Sequence, residues 1–162
     1  NMEESKSVST PVGAHFKLSA LDDDEAETSM KDIPYANAIG SIMYVMIGTR
    51  CDLGYALGLV SRFMSKHGMV HWTVVKWVLK YLMGTQDLKL CFRKNEVFKV
   101  EGFCESDFAS DLDKRRLISG YVFMACGNTI SWRSSLQSVV ALSTTEKQSI
   151  WCWLKRSKKE CG

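Results

Sequence analysis

At 162 residues and 18.3 kDa, the chain can form one domain with a real core or two small subdomains sharing an interface, but not two full-sized domains. With 46% hydrophobic and 24% charged residues, the composition excludes a mostly disordered protein, and no apolar run approaches the roughly 20 residues that span a bilayer. The formal net charge of +3 is too small to imply nucleic-acid binding without a local patch.

Residues 1–34 combine Ser and Thr with the acidic run Asp22-Asp23-Asp24-Glu25, Pro11 and Pro34, and read as an extended, partly mobile arm. The acidic run reads as solvated surface, because no Gly turn or ligand spacing makes it a metal loop. From Tyr35, Ile39, Ile42, Met43, Met46 and Ile47 fall at helical spacing and predict a first amphipathic helix. Asp52 is placed to cap a second helix with Leu53, Ala56, Leu57, Val60 and Met64 as its apolar side. Gly54 and Gly58 on it favour close approach of another backbone. A third helix is expected over 69–83, with His71, Val75, Val78, Leu79 and Leu82 on one side and Gly84 as the stop. Three such helices with short connectors imply a small bundle.

His67 and His71 are spaced as metal ligands on one helix face can be, but Gly68 intervenes and a third ligand is not evident, so metal binding is not expected. Trp72, Trp77 and Tyr81 with Lys76 and Lys80 offer a base-stacking set; core and interface packing is the preferred reading. The six cysteines, 51, 91, 104, 126, 152 and 161, contain no Cys-x-x-Cys and read as buried or incidental thiols rather than a disulfide framework or zinc site.

Beyond Gly84 the apolar period becomes two. Residues 88–92, 97–104, 120–125 and 129–133 read as strands, with Cys126-Gly127-Asn128 as a tight turn; residues 111–116 form the connection before the third of them, and a short strand at 139–142 follows. A final helix is expected from Ser143, where Ser143-x-x-Glu146 makes a capping box. Ile150, Trp151, Trp153 and Leu154 give it an apolar side. Lys155, Arg156, Lys158 and Lys159 suit the C-terminal end of its dipole, and the same cluster has the chemistry to meet phosphates or an acidic partner. The fold class is therefore α+β: a small helical bundle, then an antiparallel β-meander and a C-terminal helix.

Several words, in order, resemble the Pol polyprotein of copia-type retrotransposons over nearly the whole length. They are Val8-Ser9-Thr10-Pro11, Pro34-Tyr35-Ala36 with Gly40-Ser41-Ile42-Met43-Tyr44, Thr49-Arg50-Cys51-Asp52, Ser61-Arg62-Phe63-Met64-Ser65, His71-Trp72 with Lys76-Trp77, and Tyr81-Leu82-Met83-Gly84-Thr85. To these the meander adds Gly102-Phe103-Cys104-Glu105-Ser106-Asp107-Phe108-Ala109-Ser110-Asp111, Ser119-Gly120-Tyr121-Val122-Phe123 and Ala141-Leu142-Ser143-Thr144-Thr145-Glu146. The resemblance implies three parts: an arm (1–34), a helical subdomain similar to the C-terminal end of reverse transcriptase without its polymerase site (35–90), and a truncated RNase H-like subdomain (91–162).

An RNase H fold cleaves the RNA of hybrids with two Mg²⁺ ions roughly 4 Å apart, held by convergent acids. By resemblance the first ligand, an Asp, is replaced here by Glu105, and the second, a Glu, by Gln148. A third Asp is expected past Gly162, and the final helix lacks a turn or more of the family pattern. Asp107 and Asp111 are the nearby unaltered acids, with surface or turn roles preferred over weak metal binding. No enzyme activity and no cofactor are therefore expected, and ancestral binding of RNA–DNA hybrid is expected to be lost.

The chain also resembles a copia-related protein described as a secreted RxLR-type effector of a plant-pathogenic oomycete. That implies action inside host cells through host proteins, without catalysis and without a membrane; the alternatives are a decayed Pol fragment, intracellular, or a residual nuclease. The start at Asn1 rather than Met fits a fragment or a processed chain. The nearest approach to the delivery motif, Arg115-Arg116-Leu117-Ile118, lacks its final Arg and reads as the polar lead-in to a strand.

Overall fold

The computed structural model describes residues 5–20, 32–94, 97–107, 116 and 118–137. Among them are three α-helices and a three-stranded antiparallel sheet, an α+β arrangement. The chain divides into two compact units, Asn1–Lys89 and Leu90–Gly162.

In the first unit, α1 (Tyr35–Gly48) starts directly after Pro34 and buries Tyr35, Ile39 and Ile42. Met43 and Met46 pack against the core, whereas Ile47 is 65% exposed. At about 100° per residue, Ile47 lies roughly 140° around the helix from Ile42, outside the buried arc. The second helix is shorter than its apolar pattern suggests. A 3-10 turn (Cys51–Leu53) leads into α2 (Gly54–Val60), and a further 3-10 turn (Ser61–Phe63) follows. The tighter winding rotates the chain, so Phe63 is buried and Met64 is 43% exposed. Gly54 is itself buried.

Helix α3 (Met69–Gly84) buries His71, Val74, Val75, Val78 and Tyr81; Leu79 and Leu82 are only partly buried. The described part of the arm packs on this unit. Leu18 is buried, and Val8, Val12 and Phe16 pack against the same cluster. An arm without apolar periodicity still contributes, because each of its few apolar side chains is used singly.

In the second unit, β1 (Val100–Asp107), β2 (Ile118–Ala125) and β3 (Asn128–Leu136) form a meander in the order β1-β2-β3. Cys126 and Gly127 both have positive φ, 52° and 76°, the requirement of a two-residue type I′ hairpin. The Cys126 N–H donates to the Lys99 carbonyl at 2.8 Å. Phe123 faces Ser131 and Met124 faces Thr129, which leaves Ile130 as the extra residue of a β-bulge; it is 54% exposed. Gly102 lies opposite Phe123, and the ring lies so close that a Cβ on Gly102 would meet it at 2.7 Å.

Residues 88–92, expected as a strand, are not one. Leu88 and Phe92 are exposed, and alternation without a partner strand buries nothing. This stretch is followed by Arg93, whose N–H and carbonyl bond to the side chain of Asn128 at 2.6 and 2.9 Å, a single amide clamp in place of a ladder. Cys104 also departs from the reading as a thiol: it is disulfide-bonded, while Cys51, Cys91 and Cys126 are free. The expected strand at 139–142, the helix from Ser143 and its basic end, the acidic run at 22–25, Asp111 and Gln148 lie outside the described residues.

Candidate functional site

The sheet positions the two described acids of the expected carboxylate site. Glu105 and Asp107 are two apart on β1, and their cross-strand partners are Gly120 and Ile118. Glu105 is exposed and stands opposite a residue with no side chain, so it has no carboxylate or cation directly across the ladder. Among the described residues no ion pair involves it; the sheet's described ion pair is Lys99 with Glu101, at 2.7 Å on the surface. No group of three His, Cys, Asp or Glu among the described residues is arranged to hold a metal ion. A two-metal centre demands several hard oxygen ligands at short, near-octahedral distances. An exposed Glu, longer than Asp by a methylene, opposite a bare glycine does not fit that demand.

The helical unit holds a built polar cluster that sequence reading missed. It joins two of the family words, Thr49-Arg50-Cys51-Asp52 and Tyr81-Leu82-Met83-Gly84-Thr85. Asp52 does not cap α2, which has no side-chain cap. It accepts two hydrogen bonds from Arg50, at Nε (3.0 Å) and Nη2 (2.8 Å), and one from the Tyr81 hydroxyl (2.8 Å). Arg50, 5% exposed, also donates from Nη1 to the Thr85 carbonyl (3.0 Å) and from Nη2 to the Thr85 hydroxyl (2.8 Å). That hydroxyl donates in turn to the Tyr81 carbonyl (2.7 Å). The guanidinium thus closes the C-terminal end of α3, where a cation is favoured, and its planar fork suits the carboxylate.

Burial raises the Asp52 carboxyl, but the hydrogen bonds from Arg50 and Tyr81 and the Arg50 charge outweigh it, leaving the group below its usual range. Tyr81 is pushed up by burial and by Asp52. Arg50, Asp52, Tyr81 and Thr85 direct these hydrogen bonds at one another, which describes a structural lock. The signal available in the sequence was Arg50 two residues before Asp52, with Tyr81 and Thr85 four apart on the turn of helix they meet.

The histidines and the two tryptophans of the helical unit take part in its packing. His71 is 1% exposed; its Nδ1 accepts from the Gly68 N–H at 3.0 Å, so the proton sits on Nε2, which donates to the Ser19 carbonyl at 3.1 Å. This neutral ring serves as the N3 acceptor for the first turn of α3. His67 lies on the Tyr35 ring, centroids 4.2 Å apart and nearly parallel. Tyr35 donates to the Val60 carbonyl at 2.9 Å, and burial pushes its phenol up. Trp72 and Tyr81 pack at the core. Trp77 meets His15 and Phe16 edge-on. The expected packing use of these aromatics is the one observed.

No model of a known protein family matches the chain, and no solved structure matches it. Curated relatives do. The retrovirus-related Pol polyprotein from transposon TNT 1-94 of Nicotiana tabacum is 43% identical over 173 aligned residues, covering all of this chain and 13% of the relative. The Pol polyprotein from transposon RE2 of Arabidopsis thaliana is 32% identical over 91% of this chain and 10% of its own length. Secreted RxLR effector protein 161 of Plasmopara viticola is 44% identical over 119 residues, 74% of this chain and 84% of the relative.

This is a protein of the retrotransposon Pol class, and it belongs to the copia-type, retrovirus-related Pol family, of which the effector-named protein is a relative. The chain spans about a tenth of the length of the Pol polyproteins it matches.

Proposed function

We propose that this chain is a non-catalytic, RNase H-like derivative of a copia-type Pol polyprotein, its helices corresponding to the C-terminal end of reverse transcriptase. The observation that supports this reading is the donor set on β1: Glu105 where the family resemblance implies Asp, exposed and opposite Gly120. Gln148 adds a neutral amide at the second implied ligand position, and an amide oxygen offers far less to Mg²⁺ than a carboxylate. These residues do not fit a two-Mg²⁺ centre, and no hydrolytic step is derived through one. Binding of RNA–DNA hybrid is lost on this reading, since the charge of +3 supplies no strong electrostatic footprint of its own. In the test, purified protein is incubated with Mg²⁺ and an RNA–DNA hybrid beside a Glu105→Ala variant. The two should release equal, background amounts of product; cleavage abolished by Glu105→Ala overturns the proposal.

A second reading, secretion and action in plant cells through host proteins, is favoured by the effector-named relative, most of whose length this chain covers. The gene's upstream sequence separates the cases. A secretory signal that exports a fused reporter supports the effector reading, whereas a continuous polymerase frame upstream of residue 1 eliminates it.

A further inference from the structure

The arm of the first unit is anchored unevenly. Its inner end is fixed in the core: Leu18 is 2% exposed, and buried His71 donates to the carbonyl of the next residue, Ser19. The outer end, residues 5–16, lies along α3 with weaker attachments. Trp77 Nε1 donates to the Thr10 carbonyl at 2.9 Å in an exposed bond, and the Trp77 ring meets His15 and Phe16 at 5.4 and 5.3 Å. Val8, Val12 and Phe16 are only partly buried. Near the end of α3, Ser7 sits against Gly84 so closely that a Cβ on Gly84 would come within 2.6 Å of the Ser7 Cβ. Gly84 is the last residue of α3, and its lack of a side chain leaves room there for the side chain of Ser7.

We infer that residues 5–16 form a detachable strap, which lifts from the Trp77–Gly84 side of α3 while Leu18 and Ser19 stay anchored and the helices stay folded. Segments with few buried apolar contacts and solvent-exposed hydrogen bonds open at lower free energy than the core they cover. The seat is a site for an extended peptide, whose resident ligand is the chain's own strap. It reads a small residue over Gly84 and a carbonyl at the Trp77 N–H. Lifting the strap exposes the Trp77 ring and its indole donor together.

The test uses the full chain and two variants. Gly84→Ala places a methyl where Ser7 sits yet makes the helix residue a better helix former; Trp77→Phe keeps a ring but removes the donor. Native-state cleavage by elastase, which accepts small aliphatic residues such as Val8 and Val12, follows the open population when opening is fast. Each variant should raise cleavage at these sites about tenfold, the scale of one lost hydrogen bond or close contact. The thermal midpoint of the helices should be unchanged in Trp77→Phe and unchanged or higher in Gly84→Ala. In wild type, solvent exchange of the Trp77 indole N–H should run faster than exchange of the α3 core amides. Cleavage that rises only in step with helix melting, or stays unchanged in both variants, overturns the inference.

Discussion

Replacing Arg50 by Ala should destabilise the helical unit by about 2–4 kcal/mol. The side chain is 6% exposed and makes four hydrogen bonds, two of them to an ionised partner; each bond to a charged group contributes about 1.5–3 kcal/mol. Breaking a fully buried pair costs about 3–5 kcal/mol, but the Asp52 side chain is 31% exposed, so water recovers part of its solvation and the loss falls below the top of that range. The Thr85 carbonyl at the end of α3 also loses its cation. For a unit of this size that corresponds to a fall in melting temperature of roughly 10 °C or more. Urea unfolding followed by circular dichroism at the helix band measures it. Arg50→Lys should recover only part of the loss, because an ammonium cannot make the fork. A double-mutant cycle with Asp52→Ala should return a coupling of about 1.5–3 kcal/mol. A loss below about 0.5 kcal/mol, the level of an exposed ion pair, or full rescue by Lys, would refute the reasoning.

The same lock sets an acid limb. Asp52 is held below its usual range in the folded chain, so over that interval the unfolded state binds more protons, and the stabilisation is complete above the unfolded value of about 3.9. It is lost as pH falls through the lowered folded value. Asp52→Asn should therefore be less stable than wild type at neutral pH, with the gap narrowing below about pH 4; a gap constant down to pH 2 contradicts the assignment. In the sheet, Cys126 holds a positive φ that suits Asn better. Cys126→Asn should raise the unfolding midpoint of the meander by the equivalent of about 0.5–1 kcal/mol, measured by denaturant titration of near-ultraviolet ellipticity.

Three amphipathic stripes and three of the strands were legible from periodicity, because burial of one face imposes a period of 3.6 or 2 on the sequence. The limits of that signal show at Ile47, Met64 and the apolar residues of 88–92, which fit the sequence pattern and are nevertheless exposed or half-buried. Period places a residue on a face, but only a partner surface buries it. Helix α3 shows the converse: Val74 and Tyr81 are buried although the pattern pointed to Leu79 and Leu82, because the neighbouring helices and the arm select which arc is covered.

For the candidate site, the residue types at 105 and 148 were decided by the sequence itself: a Glu and a Gln are what they are in any fold, and their chemistry already argued against a metal centre. So were the family words, which need no coordinates to be read. Tertiary structure alone placed Glu105 opposite Gly120 and turned Asp52 from a helix cap into the acceptor of Arg50 and Tyr81. It also set Ser7 on Gly84. Those pairings join residues up to 77 positions apart, counted from Ser7 to Gly84, and local propensity carries no information about which distant groups will meet. That is settled only when the helices and strands pack and each buried donor must find an acceptor.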